Sequence, residues 1–105
     1  MAGSVSLSGN QIAEFRQRGF LVVEDVLSAE EVTAVAERGD QIAAGRAEHV
    51  PESSVQLEAV FRDGEQVVEN RALAVRKLYN LAVYDSVMWA HVVNKKIVDI
   101  VAALL

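Results

Sequence analysis

Gly19-Phe-Leu-Val-Val-Glu-Asp-Val-Leu-Ser-Ala-Glu-Glu-Val32 is the stretch whose reading decides the fold. Phe20 to Val23 is an uninterrupted apolar run with two β-branched valines, which predicts a strand covered on both faces. Glu24 and Asp25 close it as an acidic bend. Ser28-Ala-Glu-Glu31 has the form of a capping box and opens a helix. A helix that leaves a strand so quickly packs back onto the same sheet, so the expected fold class is α+β.

Before this stretch, Met1 to Leu7 reads as a flexible terminus, and residues 8–105 as one domain. Ser8 and Gln11 form a first capping box, Ile12 and Phe15 follow at helical spacing, and Gly19 supplies the stop. After it, Val32, Val35, Ala36, Gly39, Ile42 and Ala43 recur as an apolar stripe, with Glu30, Glu37, Arg38 and Asp40 expected to face away. Gly39 on that stripe fits either a close helix–sheet approach or simple tolerance. Gly45 ends the helix, and Ala47 to Ser54, with Pro51, reads as a loop.

Val55 to Phe61 alternates, with Val55, Leu57, Ala59 and Phe61 on one face of an expected half-buried strand. Asp63-Gly64 is a turn signal, and Gln66 to Glu69 fits a short hairpin arm. Ala74 to Asn80 is the next expected strand, with Val75, Lys77 and Tyr79 on one face and Arg76 and Leu78 on the other. Asp85 or Ser86 caps a short helix through Val87, Met88 and His91. Asn94 caps another, whose Ile97, Ile100, Val101 and Leu104 share a side. That helix reaches Leu105 in mid-stripe without a polar stop, which reads as a cut.

Composition narrows the function. A chain of 105 residues buries roughly 60–70% of its unfolded surface, enough for one modest core. Fifteen acids against ten bases leave a net charge of −5, so there is no basic footprint for nucleic acid. Cysteine is absent, which excludes disulfides, thiol nucleophiles and cysteine metal sites. The first residues lack the form of a secretory signal, and Ile97 to Leu105 falls short of the roughly 20 residues a membrane span needs. A soluble cytoplasmic protein is the default expectation.

Few residues offer chemistry. His49 and His91 sit 42 positions apart and begin no H-x-D, H-x-E or H-E-x-x-H pattern, so they read as a loop histidine and a helix-end histidine. Glu24-Asp25 and Glu30-Glu31 read as a bend and a helix first turn. Val87, Met88 and Trp89 read as a core patch. Lys77, between Val75 and Tyr79, leaves two alternatives: a point charge for a carboxylate-bearing ligand, or a lysine guarding an exposed sheet edge.

Taken in order, Leu7 to Val32, Val75-Arg-Lys-Leu78, and Asp85 through Asn94 to Leu104-Leu105 resemble the amino-terminal part of the phytanoyl-CoA dioxygenase family. The resemblance implies the N-terminal helices and flanking strands of a double-stranded β-helix (jelly-roll) dioxygenase fold, truncated before the core barrel. It implies Fe(II)/2-oxoglutarate-dependent hydroxylation of a small or lipid-like organic substrate in the parent enzyme. Lys77 matches a lysine of the family that contacts 2-oxoglutarate. The family's H-x-D pair, distant histidine and late arginine would all lie after Leu105, so this chain alone is expected to be inactive and to bind neither cofactor. The alternative is a non-catalytic acidic α+β module that self-associates through Ile97, Ile100, Val101 and Leu104.

Overall fold

The fold is seen in a computed structural model, which describes residues 6–67 and 69–105. Met1 to Val5, most of the expected flexible terminus, and Val68 of the expected hairpin arm lie outside the described residues.

Both capping boxes form. Helix α1 (Gly9–Arg18) starts at Ser8, whose hydroxyl accepts from the Gln11 N–H while the Gln11 side chain accepts from the Ser8 N–H. It stops at Gly19, whose φ of 82° is left-handed. Helix α2 (Ala29–Ala43) starts in the same way at Ser28 and Glu31. These ends were predictable because a cap is satisfied within three residues of sequence.

Between the two helices the expected buried strand is not formed. Phe20 to Val23 forms neither helix nor strand and is hydrogen-bonded into no ladder. Phe20 is 56% and Val22 72% exposed, with Leu21 and Val23 half-buried. An apolar run becomes a covered strand only if a partner strand and two layers lie beside it, and none of these is present among the described residues. The bend at Asp25 is as expected, with φ at 56°.

The sheet is a two-stranded antiparallel ribbon of β1 (Val55–Leu57) and β2 (Val75–Leu78). The strand expected over Val55 to Phe61 therefore ends early. Glu58 N–H donates to the Ala74 carbonyl and closes the ribbon, and α3 (Ala59–Arg62) follows. Beyond the ribbon's end those backbone groups have no strand to pair with, and a helical turn satisfies them locally. Gly64, at φ 77°, terminates α3 rather than turning a hairpin. A 3₁₀ turn, Arg71–Ala74, leads into β2 in place of the first residue of the expected strand.

Asn80, at φ 58°, then opens an unforeseen short helix, α4 (Leu81–Tyr84). Asp85 caps α5 (Ser86–Val92) and Asn94 caps α6 (Lys95–Leu104), both as expected. Helices α2 and α5 pack together, and a Cβ at Gly39 would lie 3.9 Å from Met88 Cε. The close approach at Gly39 is thus helix on helix, not helix on sheet. Trp89 leaves the expected core patch and is 55% exposed, while Val87 and Met88 stay half-buried. Ile97, Ile100 and Leu104 are half-buried on α6, which packs against α1, and Val101 is exposed.

Among the described residues the buried apolar side chains are Ile42, Val50 and Ala74. The radius of gyration, 17.4 Å, exceeds the roughly 13 Å of a compact domain this long. The chain is α+β as expected, with much of its apolar surface uncovered.

Candidate functional site

Lys77 lies in the middle of β2, where the ribbon is irregular. Val55 pairs with Leu78 and Gln56 with Lys77, but Leu57 pairs with Val75, so β2 skips Arg76. The expected alternation is lost in consequence: Val75 and Leu78 are half-buried, while Arg76 and Lys77 are both exposed. Lys77 is therefore exposed next to Arg76 rather than sharing a half-buried face with Val75. Tyr79, just beyond the strand, is 45% exposed.

The densest polar cluster lies elsewhere, at the start of α5. The Asp85 side chain has no exposed surface, yet it is fully hydrogen-bonded. Its Oδ1 accepts from Arg38 Nη1 at 2.5 Å and contacts His49 Nε2 at 2.6 Å. Its Oδ2 accepts the Met88 N–H at 3.0 Å. Burial pushes the Asp85 carboxyl up, but hydrogen bonds from His49, Met88 and Arg38, with the Arg38 charge, outweigh it and hold the group below its usual 3.8. An ionised carboxylate only accepts, so His49 Nε2 carries the proton in this pair.

Two expectations are corrected by this cluster. Arg38 does not face away, and His49 is not an isolated loop histidine. One carboxylate ties together α2, the loop before Pro51 and the start of α5. His91, by contrast, lines an open apolar groove between α2 and α5 with Ala34, Val35, Val87 and Ala90.

Glu31 forms the second cluster. Besides capping α2, its carboxylate accepts from Lys96 Nζ and Asn94 Nδ2, joining α2 to the start of α6. The Lys96 ammonium, the Ser28 N–H and the Asn94 amide lower its pKa from 4.5 to about 2. A folded pKa below the unfolded one gives stability that is complete above pH 4.5 and is lost as pH falls toward about 2. The unfolding midpoint should accordingly drop between pH 5 and roughly 3, and Glu31→Gln should flatten that drop when urea melts are compared across the range.

Neither cluster fits an iron centre. A non-haem Fe(II) site needs two histidines and a carboxylate converging with open positions. Around Asp85, a guanidinium and two N–H donors occupy the acceptor sites a metal would use. Among the described residues no three His, Asp or Glu side chains gather into a metal-holding group. Lys77 and Arg76 fit an anionic carboxylate better, since neither forms an ion pair with a described residue.

The sequence pattern of the phytanoyl-CoA dioxygenase family matches residues 15–105. The chain belongs to that family. Comparison with curated proteins and with solved structures gave no match. Within this phytanoyl-CoA dioxygenase family chain, the match takes in Phe20–Val23, the Asp85 cluster, Lys77 and all of α6. No helix among the described residues is long and apolar enough to cross a membrane.

Proposed function

We propose that this chain forms the amino-terminal layer of an Fe(II)/2-oxoglutarate-dependent oxygenase that hydroxylates a small or lipid-like organic substrate. The family match over residues 15–105 carries this reading. In such enzymes Fe(II) is held by two histidines and a carboxylate and keeps positions open for 2-oxoglutarate and oxygen. Those ligands would come from sequence outside this chain. The Phe20–Val23 segment, with Phe20 and Val22 exposed, supports that division, because an apolar run of strand composition is suited to a strand partner that the ribbon does not supply.

Each part of the chain then has a role. Helices α1, α2 and α6 pack on the outside of the fold, the Asp85 cluster fastens α2 to α5, and Lys77 holds a carboxylate of 2-oxoglutarate as a point charge. A reading frame that continues past Leu105 should, within roughly 150 residues, one further domain's worth, contain H-x-D followed by a distant histidine and arginine. A stop codon directly after Leu105 would defeat this reading for the gene product.

A non-catalytic, self-associating module is the second reading. Val98 and Val101, 46% and 45% exposed on α6, favour it. Concentration-dependent dimers that Val101→Lys abolishes would support it over the first.

A further inference from the structure

We infer that Arg76 joins Lys77 in a two-cation site for a small dicarboxylate on the open side of the β1–β2 ribbon. The inference rests on reading Lys77 as a cofactor contact, and it adds a second residue to that contact.

The register carries it. Gln56 lies opposite Lys77 and Leu57 opposite Val75, so Arg76 is the extra residue of a bulge. A regular strand would send neighbouring side chains to opposite faces, whereas a bulge re-aims the extra one. The exposure follows the bulge: Val75 and Leu78 are half-buried, and the two cations between them are both exposed.

Charge pairing points the same way. Six of the ten Lys and Arg side chains, Arg18, Arg38, Arg62, Arg71, Lys95 and Lys96, pair with carboxylates. The other four, Arg16, Arg46, Arg76 and Lys77, pair with none among the described residues, in a chain with five more acids than bases, and of these only Arg76 and Lys77 are neighbours in sequence. Acids are therefore not scarce; the ribbon keeps two neighbouring cations free. Adjacent like charges repel, and a dianion would relieve that repulsion. Arginine offers a planar fork to one carboxylate and lysine a compact charge to the same or the second. The dicarboxylate contact would thus be built into this chain, in contrast to the sequence-based expectation that the chain alone holds neither cofactor.

The test is a titration of the purified chain with 2-oxoglutarate, without metal and at low ionic strength, followed by backbone amide chemical shifts. Saturable binding in roughly the millimolar range is expected, with shifts centred on residues 55–57 and 75–78. Arg76→Gln and Lys77→Gln, both at exposed positions, should each weaken binding about tenfold, as loss of one close charge pair does. Arg16→Gln, an exposed cation on α1, should leave it unchanged. Glutarate should bind like 2-oxoglutarate, and butyrate about tenfold more weakly. If Lys77→Gln weakens binding and Arg76→Gln does not, the Arg76 inference is overturned and Lys77 keeps its role. If only Arg76→Gln weakens it, the Lys77 reading fails and the paired site with it. No saturable binding, or an equal loss in Arg16→Gln, overturns both.

Discussion

Asp85→Asn should destabilise the fold by about 3 kcal/mol, the range seen when one member of a buried ion pair is removed. Asparagine matches aspartate in shape, so the loss is one of charge and acceptors rather than of packing. Three donors, Arg38 Nη1, His49 Nε2 and the Met88 N–H, converge on the two carboxylate oxygens. Asparagine would give them one oxygen and set an NH₂ against another donor, leaving part of a guanidinium uncompensated beside a side chain with no exposure. Urea denaturation reads the effect directly. Small domains have roughly 5–15 kcal/mol in total, so the midpoint should fall steeply. His49→Ala should cost only about 1 kcal/mol, since that side chain is half-exposed and one hydrogen bond is lost. A change below about 1 kcal/mol in Asp85→Asn would mean that the cluster does not hold α2 to α5.

Ile42→Ala is the second large effect, at about 3 kcal/mol. Ile42 is 2% exposed near the end of α2 and faces the Ala47–Val55 segment beside Val50, Val55 and Gly45. Truncation removes transfer free energy and leaves a cavity. With so few fully buried apolar residues, little neighbouring core is available to collapse into the space. Val101→Ala, on the exposed side of α6, should stay within about 0.5 kcal/mol. Thermal or urea unfolding of the two variants side by side measures the contrast. Equal losses would place the core elsewhere than between α2 and the Ala47–Val55 segment.

The sequence was most legible where bonding is local. Ser8, Ser28, Asp85 and Asn94 each accept from a backbone N–H two or three residues ahead, and all four helix starts were readable from residue type and spacing. Gly19 and Gly45 were readable as stops because both need a left-handed φ. The strands were less legible because pairing is not local. Phe20–Val23 has strand composition but no partner among the described residues, and Val55–Phe61 alternates beyond the point where β2 can pair with it. The bulge at Arg76 depends on two strands together, and no alternation within β2 reveals it.

The Asp85 cluster was half legible. Asp85 was recognisable as a cap, but a cap explains only its bond to Met88. One signal pointed to Arg38: it lies three residues after Val35 and four before Ile42, on the flank of the apolar stripe rather than opposite it. A charged residue at that spacing beside a buried face calls for a carboxylate partner. His49 carried no such signal, since its partner lies 36 residues away in another element.

In the proposed role this chain would provide architecture and a cofactor-facing ribbon for an oxygenase without assembling an iron site itself. Anaerobic titration with iron(II) in the presence of 2-oxoglutarate, with metal counted after equilibrium dialysis, tests it most directly. No stoichiometric iron on the chain is expected. One tightly held iron per chain would contradict it, and would mean that His49 and His91 act as ligands.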